Sequence, residues 1–170
     1  EYKEKSGPES VVFGYGTGRE NEAVIYRIAN ILGSPNVLTA GHFCYGPRVS
    51  TGIITCGTNP IVDYENFPRC LMMWGNNVTI SNADEYKGEP FSVALDRGAR
   101  LIVVDPRLTR PAARANVWLQ LRPGTDAALA LGMLNVIVND GLYDKEFVEN
   151  YTFGWEPFVK RVNEYPIDKV

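Results

Sequence analysis

The sequence predicts an α/β fold of three layers, in which a mostly parallel sheet lies between helices on both faces. Two observations predict it. Short apolar runs alternate along the chain with longer segments of helical periodicity, which is typical of repeated strand–helix units. The run at residues 70–74 is continuously apolar, as expected for a strand buried on both faces of a parallel sheet, and the run at residues 101–104 is predicted to be a core strand.

Composition and charge narrow the class of protein. The chain has 170 residues, of which 45% are hydrophobic and 22% charged, as is usual for one globular domain with its own core. Its net charge of −3 argues against a nucleic-acid-binding module, which usually carries a basic face. No apolar run reaches the roughly 18 residues of a membrane span, so direct membrane insertion is not expected. The chain begins with Glu1, so we expect a piece of a longer protein, whose compartment could be cytoplasmic or periplasmic.

The first predicted strand, residues 11–13, leads into a glycine-rich turn, residues 14–21, and then a helix that continues to Leu32. Glycines in such a turn let a phosphate or a pterin approach the backbone N–H groups at the start of the helix. Their spacing matches neither the GxGxxG fingerprint of NAD sites nor the Walker A sequence. A tight strand-to-helix turn without any ligand explains the glycines equally well.

The next predicted strand, residues 37–38, is followed by a loop that holds the only histidine of the chain. This loop, residues 41–48, also contains a cysteine and an arginine. We hypothesise that Cys44 is a thiolate ligand to a metal held by a nucleotide-bearing cofactor. In the alternative, Cys44 is a small buried hydrophobe, as free cysteines usually are, and His42 is a solvated loop residue. A short helix is predicted over residues 47–57.

The cysteine and histidine counts exclude several kinds of metal site. Cys44, Cys56 and Cys70 are widely spaced and form no CxxC pair. This segment alone is therefore not expected to build an iron–sulfur or structural zinc site. A single histidine also excludes a multi-histidine site.

Two amides follow the predicted strand at residues 70–74. The strand ends in Gly75-Asn76-Asn77, and the amide side chains are placed either to hydrogen-bond the polar edge of a ligand or to form a turn. A helix with Gly98 as its stop signal is predicted next.

The strand predicted at residues 101–104 is the clearest core strand of the sequence. It is followed by a turn that contains an aspartate and an arginine. Asp105-Pro106-Arg107 ends the strand, because proline removes a backbone donor. Asp105 then lies at the sheet edge where nucleotides bind, and could accept from ribose hydroxyls or guanine N–H groups, while Arg107 could pair with a phosphate. The alternative is an Asp–Arg ion pair across a turn.

The last predicted strand, residues 117–121, precedes a helix at residues 127–139 that opens with Gly124, Thr125 and Asp126. Thr125 is expected to cap this helix, and Asp126 to complement its dipole. A carboxylate at this place could equally bind guanine through two N–H donors.

Two more helices complete the chain, one capped by Asp144 and one amphipathic at residues 155–164. Connections in parallel sheets place the loops that follow the strands side by side. We therefore expect the loops near residues 16, 44, 75, 105 and 124 to meet at one edge of the sheet.

Five strings in the sequence resemble the molybdopterin oxidoreductases of the dimethyl sulfoxide reductase superfamily. They are GTGREN (16–21), HFCYGPR (42–48), WGNN (74–77), VVDPRLTRPA (103–112) and LRPGTDAALALGM (121–133). The similarity covers nearly the whole chain in order and ends in LYDKEFVENYT (142–152). The segment around Cys44 most resembles the formate dehydrogenase-like and the polysulfide or thiosulfate reductase-like branches.

The resemblance implies a cofactor and site residues. Such enzymes hold molybdenum or tungsten between two molybdopterin guanine dinucleotides, and Cys44 matches the protein ligand of the metal. His42, Tyr45 and Arg48 are candidates for steering an anionic substrate or relaying a proton. The dinucleotide contacts would come from Gly75, Asn76, Asn77, Asp105, Pro106, Arg107, Gly124, Thr125 and Asp126, and those near a pterin from Thr17, Gly18 and Asn21. Val78 departs from the pattern, since many relatives have proline there.

The resemblance also implies partners. Residues 1–170 would form one Rossmann-like cofactor-binding domain, a fragment of a larger catalytic subunit. The iron–sulfur cluster would lie outside this segment, and the partners would be a small-molecule substrate, the remaining domains of the polypeptide and an iron–sulfur electron-transfer subunit. One alternative is a cofactor-free structural subunit of a respiratory complex, against which the retained Cys44, VDPR and RPGTD argue. An NAD-binding domain is the weaker alternative, because the GxGxxG fingerprint is missing.

Overall fold

The computed structural model describes residues 1–16, 20–81 and 88–170, which divide into two compact units, residues 1–62 and 63–170. All strand pairs in this part of the chain are parallel, with helices between consecutive strands, so the prediction of an α/β fold with parallel strands is confirmed. The described strands form two sheets, however, where the sequence predicted one. Each unit therefore has its own strand ends and its own group of loops.

The first unit, called unit 1, contains a two-stranded sheet and four α-helices among its described residues. Its elements are α1 (Tyr2–Ser6), a 3-10 turn (Pro8–Ser10), β1 (Phe13–Gly14), α2 (Glu22–Leu32), β2 (Val37–Leu38), α3 (Ala40–Phe43) and α4 (Tyr45–Cys56). In the parallel register, Phe13 lies opposite Val37. The helix α2 stops at Gly33, whose left-handed φ of 89° suits glycine. Ser34 is buried, and its hydroxyl donates to the carbonyl of Val11, which fixes the entry to β2.

The second unit, called unit 2, is built on a three-stranded parallel sheet in the order β3-β4-β5. Its elements are β3 (Cys70–Trp74), α5 (Val78–Ser81), α6 (Gly88–Asp96), β4 (Arg100–Val104), α7 (Arg110–Arg114), β5 (Val117–Leu119), α8 (Asp126–Asn139), α9 (Lys145–Tyr151), α10 (Trp155–Val162) and a 3-10 turn (Ile167–Lys169). Because neighbouring strands are parallel, their carboxyl ends lie at one edge of the sheet.

The core of unit 2 lies on one face of this sheet. Side chains from β3 and β4 pack there against α6 and α7, in a cluster formed by Leu71, Met73, Val78, Phe91, Ala94, Leu101, Val103 and Ala112. The prediction that residues 70–74 are buried on both faces is wrong. Burial alternates along β3, and Met72 is 45% exposed on the face opposite to the cluster. Side chains alternate along a strand, so helices on one side bury only every second residue of β3. The strand β4 differs, because the consecutive residues Val103 and Val104 are both fully buried.

Most helix ends agree with the sequence signals. Gly98 ends α6 with a φ of 93°, and the Asp144 carboxylate accepts from the N–H of Phe147 at 2.9 Å, so both predictions are confirmed. Thr125 stands at the N-cap position of α8, as predicted, but its side chain makes no capping bond, because its hydroxyl donates backwards to the carbonyl of Arg122 at 2.7 Å. No helix within the described ranges has the length and apolar character needed to cross a bilayer.

Candidate cofactor-binding site

The segments that follow β3, β4 and β5 together line a cavity of about 320 Å³ in unit 2. Its lining residues are Gly75, Val104, Asp105, Pro106, Arg107, Leu121, Pro123, Gly124 and Asp126. The structure thus brings together three of the five loops that the sequence analysis singled out. The loops near residues 16 and 44 follow β1 and β2, and belong to the separate sheet of unit 1.

Asp105 forms the floor of a tight turn at the end of β4. The residue is only 4% exposed, and its Oδ1 accepts from the backbone N–H of Arg107 at 2.8 Å. The Nε of Arg107 lies 3.8 Å from the same oxygen, so the ion pair that was the alternative interpretation is present, although long. The Arg107 side chain is 78% exposed, and a contact this long with a solvated guanidinium contributes little to stability. The guanidinium is therefore accessible to a ligand in the cavity.

The carbonyl groups of this turn are held by two side chains from the neighbouring chain segment. The indole Nε1–H of Trp118 donates to the carbonyl oxygen of Asp105 at 2.9 Å. The amide of Gln120 donates to the carbonyl oxygen of Pro106 at 3.0 Å. These bonds fix the turn before any ligand binds. Neither Trp118 nor Gln120 was predicted from the sequence, because no local pattern marks them as partners of the turn.

Asp126 lies across the cavity at the first position of α8. Its Oδ1 accepts from the indole Nε1–H of Trp74 at 2.7 Å, a bond between residues 52 positions apart. Gly75 and Gly124 have positive φ angles of 57° and 87°, and nothing lies within 4 Å of where their side chains would begin. Glycine makes these conformations accessible and leaves the backbone open to close approach by a ligand.

Three proposed contact residues lie beside the cavity without lining it, namely Asn76, Asn77 and Thr125. Asn77 makes local hydrogen bonds within the chain. Its Oδ1 accepts from the Thr79 hydroxyl at 2.7 Å, and its carbonyl oxygen accepts from the N–H of Ile80 at the start of α5. The turn-forming alternative therefore describes the Asn77 side chain in this structure.

Cys44 occupies a corner between two helices, which corrects the prediction of a loop over residues 41–48. It is the single residue between α3 and α4, with φ −117° and ψ −87°, and it stands at the N-cap of α4. Gly46 lies so close to Gly41 that an added Cβ would overlap the Gly41 carbonyl oxygen. Pro47 fits because a proline in the first turn of a helix removes no intrahelical hydrogen bond. Cys44 is exposed, so the alternative of a buried hydrophobe is wrong.

The three other candidate residues flank this corner. The Nδ1 atom of His42 lies 3.1 Å from the backbone nitrogen of Thr39 and 3.2 Å from the Thr39 hydroxyl, so the ring is held against this residue. The Arg48 guanidinium lies 5.4 Å from the centre of the Tyr45 ring, within the range of a cation–π contact. All of these side chains are exposed on unit 1.

The glycine-rich segment after β1 is described in part. Thr17 and Gly18 lie outside the described residues, and Asn21 is exposed at the start of α2 without a capping side-chain bond. Tyr15 stands at the beginning of this segment. Desolvation raises the pKa of Tyr15 to about 12, and the neighbouring Glu22 carboxylate contributes to the same shift.

Comparisons with known proteins cover almost the whole chain. The family model described as molybdopterin oxidoreductase matches residues 1–163. Acetylene hydratase from Syntrophotalea acetylenica is 44% identical over 98% of this chain and 23% of its own length. The thiosulfate reductase molybdopterin-containing subunit PhsA from Salmonella typhimurium is 33% identical over 95% of this chain and 21% of its own length.

A solved structure agrees with the sequence comparisons. The structure of acetylene hydratase from Pelobacter acetylenicus superimposes with a TM-score of 0.72 and 41% identity, over 98% of this chain and 23% of that chain. The chain thus spans about a quarter of the length of the relatives it matches. The molybdopterin family model, which covers all but the last few residues, shows that the chain belongs to the molybdopterin oxidoreductases, a family whose cofactor is a molybdenum- or tungsten-bearing pterin.

Proposed function

We propose that the cavity of unit 2 binds the guanosine end of a molybdopterin guanine dinucleotide. We also propose that Cys44 of unit 1 is a protein ligand of molybdenum or tungsten. The observation that carries the proposal is the meeting of Asp105 and Asp126 at one cavity of about 320 Å³. Guanine offers N–H donors along one edge, and carboxylates are the acceptors that match such donors. The volume lies within the usual range of small-ligand pockets.

The cavity residues fit a nucleotide in three ways. The backbone at Gly75 and Gly124 is open, so a flat base can approach it closely. The exposed guanidinium of Arg107 is free to pair with a phosphate oxygen. Pro106 shapes the turn, and Asn76, Asn77 and Thr125 would contact the dinucleotide from the rim of the cavity. The proposed pterin contacts are Thr17, Gly18 and Asn21, on the family resemblance.

The Cys44 corner fits a metal ligand. Cys44 is exposed at the N-cap of α4, where a ligand can reach its side chain. Thiolate is a soft ligand and suits a metal that already has sulfur ligands. When bound, the cofactor would supply the metal centre at which a small substrate reacts. His42, Tyr45 and Arg48 would then orient an anionic substrate or move a proton near this sulfur.

We further propose that residues 1–170 are one cofactor-binding domain of a longer enzyme. In that enzyme a small substrate reacts at the metal, and electrons pass to iron–sulfur centres in other domains or in an electron-transfer subunit. A hydration without net electron transfer is the second candidate. It is favoured by the 44% identity to acetylene hydratase, compared with 33% to the thiosulfate reductase subunit.

Metal and nucleotide analysis of the full-length protein, purified from its native host, tests the proposal. We expect molybdenum or tungsten together with two GMP released per subunit on acid hydrolysis. Asp126→Asn should lower the GMP content, and Cys44→Ala should leave the GMP content unchanged. Protein that lacks both metals and releases no GMP would reject the proposal in favour of a cofactor-free structural subunit. Conversion of acetylene to acetaldehyde without an electron acceptor would favour hydration over oxidoreduction.

A further inference from the structure

The bond between Trp74 and Asp126 is not accounted for by the proposed contacts of the cofactor. Trp74 is the last residue of β3 and is half-buried, directly before Gly75 of the cavity lining. Its indole N–H reaches Asp126 Oδ1 at 2.7 Å, so the bond connects the end of β3 with the start of α8. It therefore joins two walls of the same cavity.

The bond restricts a carboxylate that would otherwise turn freely. Asp126 is exposed at the first position of a helix, where an aspartate can rotate towards backbone N–H groups or towards solvent. An indole is a donor only and has few accessible orientations, so it holds one carboxylate oxygen in a defined direction. Within the described residues, the second oxygen of Asp126 accepts no hydrogen bond from another side chain, and it remains available to a ligand.

We infer that Trp74 is a positioning residue, whose indole holds the Asp126 carboxylate so that the cavity prefers guanine to adenine. This inference rests on the proposed function, because it takes a guanosine nucleotide as the ligand. Guanine presents N–H donors to a carboxylate on its Watson–Crick edge, whereas adenine presents a ring nitrogen that repels it. A carboxylate fixed in place enforces this difference, while a mobile one can turn away from adenine and lose the discrimination.

Titration of the full-length, cofactor-free protein with GMP and with AMP, followed by calorimetry, tests the inference. The wild type should bind GMP more tightly than AMP, and Asp126→Asn should abolish the preference. Trp74→Phe keeps an apolar ring but removes the N–H, and should weaken GMP binding about tenfold with little effect on AMP. Trp155→Phe is the matched control, since Trp155 packs against Tyr143 at 4.7 Å and does not line the cavity, and it should change neither affinity.

Two further variants separate positioning from a general loss of structure. In an Asp126→Asn background, Trp74→Phe should cause no additional loss of the GMP preference, because the group that it positions is already altered. Trp74→His retains a ring N–H and should recover part of the preference; it also supplies a second variant if Trp74→Phe does not fold.

The outcomes distinguish this inference from the proposed function. If Asp126→Asn loses the preference while Trp74→Phe and Trp74→His keep the wild-type ratio, Trp74 does not position the carboxylate and the guanosine site stands. If the wild type binds GMP and AMP equally, or binds neither, the guanosine site and the inference both fail.

Discussion

The cavity of unit 2 and the Cys44 corner of unit 1 are held in place by different kinds of contact. The cavity depends on side-chain bonds between residues 13, 14 and 52 positions apart, donated by Trp118, Gln120 and Trp74. The corner depends on neighbours: Thr39 with His42, and Gly41 against Gly46. The cavity can therefore exist only once unit 2 has folded, whereas the corner is specified by the consecutive residues 39–48.

Removal of the Cys44 sulfur should have the largest effect and should separate the two regions. We expect Cys44→Ala to lower turnover of the full-length enzyme by more than about 100-fold. The loss of a metal ligand should reduce activity more than the loss of a residue that only hydrogen-bonds to a ligand, which costs about 10- to 100-fold. Stability should change by less than about 0.5 kcal/mol, because the side chain is exposed. Turnover, metal content and thermal unfolding measure this. Cys56→Ala, also exposed, is the control and should retain activity. Normal turnover of the Cys44→Ala variant would contradict the proposal that Cys44 is a metal ligand.

A core substitution beneath the cavity should have the largest effect on stability. Leu101 is 2% exposed in the centre of the sheet, so Leu101→Ala should destabilise unit 2 by about 2–5 kcal/mol. Hydrogen exchange of the β4 amides in the full-length protein measures the loss of protection. Met72→Ala, at a position that is 45% exposed, should cost less than about 1 kcal/mol. Equal losses at the two positions would mean that the open face of the sheet is covered in the full-length protein.

Widening the Cys44 corner should have an intermediate effect. A methyl group in Gly46→Ala would meet the Gly41 carbonyl, and we expect a destabilisation of about 1–3 kcal/mol together with lower metal content. Ile54→Ala, on the same helix and at a position that is 85% exposed, is the matched control and should change neither stability nor metal content. Metal analysis and thermal unfolding of both variants provide the comparison. Full metal content in Gly46→Ala would show that the close approach of α3 and α4 is unnecessary.

Loss of one bond at the cavity turn should have the smallest effect. Gln120→Ala removes the donor to the Pro106 carbonyl and should weaken GMP binding to the cofactor-free protein by a few-fold, or about 1 kcal/mol. The turn keeps its bonds from Trp118 and from the Arg107 N–H, which limits the loss. Calorimetric titration measures the change. A loss as large as that of Asp126→Asn would mean that Gln120 contacts the nucleotide directly.

The sequence was sufficient to locate the ends of β3 and β4, whereas β1 ends at Gly14 instead of residue 13 and β5 at Leu119 instead of residue 121. Apolar runs give the strands, and parallel pairing requires that Gly75, Asp105 and Gly124 follow at one edge. Such patterns are local, and the topology rule that joins them is general. The family resemblance added the chemistry to these positions, and the match of residues 1–163 to the molybdopterin oxidoreductase model supports that resemblance.

The remaining features depend on tertiary contacts that no local pattern encodes. The hydrogen bond from Trp74 to Asp126 joins residues that are 52 positions apart in the sequence. The Thr125 hydroxyl bonds to the preceding Arg122 carbonyl, although threonine is a residue type that favours helix caps. Glycines and a proline suggested a loop around Cys44, but there they permit two helices to meet closely. The division of the strands into two sheets could not be predicted either, because the alternation of strands and helices does not say which strands pair.

The close packing of Gly41 on Gly46 has a consequence for the atom that residue 44 presents. The backbone on both sides of the corner is fixed by glycines, so the place where the side chain starts does not depend on which side chain it is. An oxygen or a selenium at this point would stand almost where the sulfur does. If Cys44 is the metal ligand proposed above, a single codon change could exchange the donor element without a rearrangement of the surrounding backbone.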